Sequence, residues 1–338
     1  MTTIFPGAAS GVRLGLGGAA IGNLFRAISD SDAHAVLRAA LDDGCRSFDT
    51  APHYGNGLSE HRFGDALRRV PVHDRVLSTK VGRILKPDSN APRDQNGYVD
   101  VLPFIQHWDY SDAGVRRSVE DSLQRLGVAR LDVAFVHDCD EVTHGPRYGA
   151  ILEQVVTEAI PALRQMQVEG LVGHCGFGVN DVKVCLDVLR RTRVDCLLLA
   201  GRYSLIDQSA LPELLPLCAR LGVRIALGGV FNSGILATGV LNAREPIRFN
   251  YGAASKEWIE RTATIEEACG RFAVPLRAAA LQFPLAHASI DVVIAGAQIP
   301  DHWADAVKMV AHPIPQAFWH HLKTQRLLPD KAPTPGDA

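Results

Sequence analysis

The sequence predicts an α/β fold, a closed (β/α)8 TIM barrel. Three observations lead there. Eight short apolar runs recur along 338 residues, and most are continuous, as parallel strands covered on both faces require. Longer helical patterns alternate with them. No Pro/Ser/Gly-rich linker divides the chain, so residues 1–328 read as one barrel domain. The remainder, "PDKAPTPGDA" at 329–338, reads as a disordered tail.

The strands follow in order as "RLGLGG" 13–18, "RSFDT" 46–50, "RVLSTK" 75–80 and "LDVAFVH" 131–137. The second four are "LVGHCGF" 171–177, "VDCLLLA" 194–200, "VRIALGG" 223–229 and "IDVVIAG" 290–296. Helices are expected over 31–43, 58–70, 112–127, 149–169, 180–191, 208–221, 255–272, 276–287 and 300–310. "SDSDAHAVLRAALDDG" and "YSDAGVRRSVEDSLQRLG" each open on capping residues and close on glycine, Gly44 and Gly127. The connections 81–111 and 228–254 exceed simple turns. Both follow strands, the side on which a barrel builds its catalytic face.

Bulk properties exclude several classes. Net charge is −2 with interspersed charges, unlike the basic stripe of a nucleic-acid binder. No apolar run spans a bilayer and the N-terminal residues carry no signal-peptide pattern, so a cytoplasmic protein without a membrane partner is expected. The seven cysteines are scattered with no C-x-x-C pair and read as reduced core residues.

Polar residues close consecutive strands. Asp49 ends the second, with Tyr54 just beyond; Lys80 ends the third and His137 the fourth. In a barrel all four meet at one mouth as a proton-transfer site. An isolated tyrosine has a pKa of about 10, and a nearby ammonium is expected to lower it. A carboxylate would hold that lysine, and an imidazole could orient a substrate oxygen.

Two other chemistries compete, a Rossmann dehydrogenase and a metal-dependent hydrolase on the same barrel. "LGLGGAAIG" at 14–22 approaches G-x-G-x-x-G, but Ala20 holds the third place and no acidic residue ends a second strand about 20 residues on. In a barrel these glycines form the first strand and its turn. "HDCDE" at 137–141 with His53 and His61 offers metal donors, but that reading leaves Lys80 and Tyr54 unexplained. No metal is expected. A binding subunit without catalysis is a third alternative, against which the intact set of four argues.

The stretches "FDTAPHYGNGLSEHRFGDALR" (48–68), "LSTKVG" (77–82), "VRRSVEDSLQRLGVARLDVAFVHD" (115–138), "GFGVND" (176–181), "LLLAGRYSLIDQSAL" (197–211) and "GGVFNSGIL" (228–236) resemble the aldo-keto reductase superfamily. Within it the chain is most similar to the aldose 1-dehydrogenases, of D-threo-aldose or L-fucose type, and the pyridoxal 4-dehydrogenases. The resemblance implies an NAD(P)-dependent oxidoreductase acting on a small molecule. Tyr54 would be the acid–base residue, Lys80 its partner, Asp49 the support and His137 the orienting group. It implies that Tyr203 stacks on the nicotinamide and that the cofactor lies extended at the mouth. Where many members have a Ser-Asn pair and a Gln for the carboxamide, this chain has "GFGVND" and "LLAGRY", with Asn180 a partial substitute. Arg202, Gly229, Ser233 and Gly234 are expected near the cofactor phosphates, and Gly296, Gln298 and Asp301 near its adenosine. An acidic residue at Asp301 favours NAD over NADP. His53, Trp108, Tyr110, Phe231 and Asn232 are expected to wall the substrate pocket. The substrate would be a sugar oxidised at C1 or pyridoxal as its hemiacetal, with a general aldehyde or ketone reductase as the alternative.

Overall fold

A computed structural model describes residues 3–7, 11–243 and 246–337. Eight parallel strands close a barrel, β1 (Leu14–Gly17), β2 (Ser47–Asp49), β3 (Val76–Val81), β4 (Leu131–His137), β5 (Val172–Val179), β6 (Cys196–Ala200), β7 (Arg224–Gly228) and β8 (Ile290–Gly296). Each strand pairs with the next in sequence, and β8 returns to β1. All eight expected strands are present, so the fold is the (β/α)8 TIM barrel.

The two-residue period of a strand decides what the barrel encloses. Val133, Phe135 and His137 alternate inward on β4, as do Ser78 and Lys80 on β3 and Ser47 and Asp49 on β2. Val133, Phe135, Cys196, Leu198, Ala226, Val292 and Ile294 form a buried interior cluster. Phe5 closes its lower end, stacked on Phe135 with centroids 6.2 Å apart. Asp49, Lys80 and His137 are therefore the uppermost inward residues, directly above an apolar plug. The larger core fills the space between strands and outer helices.

The helices follow their sequence signals. Ser29 caps Asp30–Asp42 by accepting from the Asp32 amide, and Ser111 caps Asp112–Leu126 by accepting from Gly114. Gly127 ends the second of these at φ +63°, the left-handed conformation a C-terminal glycine supplies. Four details differ from the reading. The helix expected over 149–169 carries a π turn at Val155–Ala159, just before Pro161, whose missing N–H breaks the regular ladder. The helix expected from 208 begins at Leu214, because 202–211 is tied into turns by Ser204, Asp207 and Gln208. A helix at Gln316–Thr324 was not anticipated. Residues 329–337, expected to be disordered, pack against the barrel. Ala332 is fully buried, Asp337 pairs with Lys323 at 3.0 Å, and the Asp337 carboxylate accepts from Thr334.

Both long connections carry structure of their own. Arg83–Pro87 pairs antiparallel with Phe104–Trp108, Arg83 opposite Trp108 and Leu85 opposite Gln106. After β7, a short hairpin joins Arg248–Phe249 to Gly252–Ala253 through Asn250 and Tyr251, both in the left-handed region at φ +49° and +67°. Among the described residues, no helix is long and apolar enough to cross a membrane.

Candidate active site

Lys80 is almost wholly buried, and its Nζ donates to Asp49 Oδ2 at 2.7 Å and to the Thr50 carbonyl at 2.8 Å. Ser78 donates to the other Asp49 oxygen at 2.7 Å. The ammonium lies 4.7 Å from the centre of the Tyr54 ring. Burial raises the Asp49 carboxyl, and the Lys80 charge opposes that rise.

Tyr54 corrects one expectation. Its phenol is raised well above the usual tyrosine range, first by burial and then by the Asp49 charge. Lys80 does not reverse this, because its charge is compensated by Asp49 and it approaches the ring face. The Tyr54 phenol is therefore held in its protonated form.

Glycines bring this group together by close approach. A Cβ on Gly22 would lie 2.7 Å from the Tyr54 carbonyl carbon, and one on Gly18 would lie 2.9 Å from the Asp49 carbonyl oxygen. The "LGLGGAAIG" segment is thus the first strand and a turn packed against the Asp49 and Tyr54 backbone, as a barrel requires.

His137 faces Tyr54, ring centroids 6.2 Å apart. The Arg83 guanidinium bonds His137 Nδ1 at 2.6 Å and Asp138 Oδ2 at 2.7 Å. Burial, then the Arg83 and Lys80 charges, lower His137 well below the usual histidine range, so it is neutral. Beneath it, Tyr110 donates to the His137 carbonyl at 2.7 Å and lies 3.0 Å from His144 Nε2. Tyr110 is fully buried and supports the site from below, which corrects its expected place in the pocket wall. Trp108 lies under the Arg83 guanidinium at 3.9 Å and against His144 at 4.7 Å.

His53 is fixed by Gln106, whose Oε1 is 2.9 Å from Nδ1. Gln106 in turn donates to Asn56 Oδ1 at 2.6 Å, and Asn56 donates to the Phe104 carbonyl at 2.7 Å. The His53 ring contacts Tyr54, His137 and Tyr98, and burial with the Arg83 charge lowers its pKa to about 3. Tyr98 stacks on Tyr54 at 5.9 Å.

A groove of about 460 Å³ opens beside Tyr54 and Asp49 across the ends of β6, β7, β8 and β1. Its walls include Gly229, Ser233, Gly234, Gly296 and Gln298, expected near a cofactor, together with Phe231 and Asn232, expected in the substrate pocket, and Tyr251 and His302. A Cβ on Gly234 would project into open space, and the run Asn232–Gly234 has positive φ throughout, a backbone concavity suited to anions. The residues present fit an extended dinucleotide. Among the described lining residues, none is Lys or Arg.

Four expected contacts are not on this groove. Tyr203 is fully buried against Phe283 and His287, because the chain turns at Gly201 (φ +69°) and sends its ring into the core. Arg202 is spent on protein, donating to the Asn180 carbonyl at 2.6 Å, to Asp207 at 2.8 Å and to Asn250 Oδ1 at 2.6 Å. Asn180 does not line the groove. Asp301 is exposed in the first turn of Pro300–Val310, and Gln298 and His302 take the lining position instead.

The donors of "HDCDE" diverge. Cys139 is buried, Asp140 caps the Thr143 amide and Glu141 is exposed. No group of three metal-ligating side chains converges among the described residues.

Sequence reasoning missed Arg83, Gln106, Tyr98 and Tyr251. Arg83 had a signal, three residues beyond Lys80 in "TKVGR"; Tyr98 and Tyr251 lie in loops without pattern.

Comparison with known proteins agrees with this geometry. The aldo/keto reductase family model matches residues 13–325. A pyridoxal 4-dehydrogenase of Microbacterium luteolum is 39% identical over 327 residues, covering 93% of this chain and 94% of that protein. A D-threo-aldose 1-dehydrogenase of a Pseudomonas species is 38% identical, covering 94% of each. An aldo-keto reductase of Bacillus halodurans, solved in its holo form, superposes with a TM-score of 0.70 at 24% identity, covering 96% of this chain and 94% of that one. With its barrel, its strand-end site and these matches, the chain belongs to the aldo/keto reductase family and is an NAD(P)-dependent oxidoreductase.

Proposed function

We propose that the protein oxidises a cyclic hemiacetal to a lactone, with an aldose of L-fucose or D-threo type reacting at C1. The observation that carries this is the Tyr54 ring facing the His137 ring, centroids 6.2 Å apart, beside the buried Lys80–Asp49 pair. The similarity to a D-threo-aldose 1-dehydrogenase supports the substrate class.

A nicotinamide bound in the groove supplies the acceptor for the hydride leaving C1. Tyr54 Oη takes the hydroxyl proton in oxidation and returns it to the carbonyl oxygen in reduction. His137 holds the same oxygen by a hydrogen bond. Lys80, fixed by Asp49 and Thr50, stabilises the phenolate that must form before oxidation. His53 and Tyr98 bound the cleft and exclude water from one side of the reacting carbon.

NAD is the proposed cofactor in preference to NADP. A 2′-phosphate calls for a cation, and the described groove supplies Gln298 and His302 instead. A second reading is pyridoxal, reacting as its hemiacetal. The aromatic wall of His53, Tyr54 and Tyr98 suits a planar ring, and a pyridoxal 4-dehydrogenase is a similarly close relative.

The test is reduced-cofactor absorbance with NAD or NADP against L-fucose, D-arabinose, L-galactose, pyridoxal and simple alcohols. Lactone formation from one sugar with NAD is the expected outcome; turnover of pyridoxal alone selects the second reading. Tyr54→Phe should lower turnover by roughly 10²- to 10⁴-fold while cofactor affinity, read by fluorescence titration, stays nearly constant. Substantial activity in that variant would overturn the mechanism.

A further inference from the structure

We infer that Arg83 is a positioning residue that fixes the tautomer of His137, leaving its proton on Nε2 for the substrate oxygen. This rests on the proposed orienting role of His137 and adds how that role is enforced.

The argument begins with donor and acceptor inventory. A guanidinium has five N–H donors and no acceptor. Its 2.6 Å contact with His137 Nδ1 therefore requires that nitrogen to present a lone pair. A neutral imidazole with a lone pair on Nδ1 carries its proton on Nε2.

Arg83 is itself over-determined. It is 7% exposed, its second terminal nitrogen donates to Asp138 at 2.7 Å, and its plane rests on Trp108 at 3.9 Å. Its position is set from the opposite strand of its hairpin, where Trp108 is its register partner. The guanidinium cannot move off Nδ1 without breaking an ion pair and a cation–π contact together.

The charges around the ring are consistent with a neutral state. Lys80 from β3 and Arg83 from the hairpin repel an imidazolium, and His53 adds to them. Asp138 would favour one, but it is committed to Arg83 and lies 3.5 Å from Nε2, longer than a good hydrogen bond. Tyr54, facing the ring, and Tyr110, bonded to the His137 carbonyl, are both raised well above the usual tyrosine range and neutral. A usual histidine partner, a carboxylate or carbonyl on Nδ1, would instead hold a proton there and stabilise the cation. An arginine in that place does the reverse.

The experiment is ¹⁵N-edited imidazole NMR of the cofactor-free protein, with the His137 signals assigned by their loss in His137→Gln. The expected result is a lone-pair Nδ1 and a protonated Nε2, unchanged from about pH 8 to about pH 5. In Arg83→Met the two tautomers should mix and the ring should titrate within that range. The kcat/KM profile of Arg83→Met should gain an acid limb and fall roughly 10- to 100-fold, mostly through kcat. Arg83→Lys, which keeps a cationic donor group without the guanidinium fork, should restore part of the tautomer bias. A wild-type His137 protonated on Nδ1, or titrating near its usual value, would overturn the inference. So would an Arg83→Met spectrum matching wild type. The wild-type spectrum decides the matter even if Arg83→Met fails to fold. It uses no substrate, so failure of the aldose reading leaves it intact.

Discussion

Tyr54 shows how burial and charge compete at one atom. Removal from water and the Asp49 carboxylate keep the phenol protonated, and the nearest cation is already paired. This has a directional consequence. In the proposed reaction, reduction would begin with the protonated form, whereas oxidation would require the phenolate. With the folded pKa above the working range, the phenolate fraction climbs about tenfold per pH unit. The initial rate of aldose oxidation at saturating NAD should therefore rise from about pH 7 to about pH 10 without a plateau. A plateau beginning near neutrality would show that cofactor binding lowers Tyr54 into that range. At this scale the sequence was informative for Asp49, Lys80 and His137, because strand period alone points them inward. For Arg83 it offered only nearness, three residues beyond Lys80, since a Gly-Arg after a strand reads as a loop. It was misleading for Tyr203, because the direction of a side chain after Gly201 depends on a backbone turn that spacing does not encode.

Among the elements, the β1 turn and the 83–108 hairpin do the most positioning. Gly22 allows the turn to touch the Tyr54 backbone, with room for no side chain. Gly22→Ala should displace Tyr54 from the Lys80 face, costing about 1–3 kcal/mol of stability and at least about tenfold in kcat. Thermal denaturation and steady-state kinetics on the same preparation check this. Unchanged kcat would show that the turn yields instead of the tyrosine. The hairpin brings Arg83, Gln106 and Trp108 to the site through one register. It was legible only as a connection too long to be a turn, because its strands are short and half-exposed. The strands of the barrel, apolar and continuous, were legible throughout.

For the whole molecule, the site carries a cost that appears in acid. His53 has a folded pKa lowered to about 3, against about 6.5 unfolded. The sign follows: the unfolded chain binds the extra proton, so stability is complete above about pH 6.5 and declines as pH falls toward 3. Each such histidine contributes at most about 1.4 kcal/mol per pH unit in that window. His137, also lowered well below the usual histidine range by burial, acts in the same direction. His53→Gln should flatten the urea-unfolding free energy between about pH 6 and about pH 4 by close to one proton's worth. An unchanged slope would mean that His53 is solvated and titrates normally. The barrel also has unlike ends. Phe5 seals the one opposite the site, and residues 333–337 lie at that same end, beside Arg13 and Leu285. A tether joined at either place would hold the enzyme on an electrode or resin with its mouth turned to the bulk solution. Substrate would then reach an immobilised layer as freely as the dissolved enzyme, without redesign of any loop.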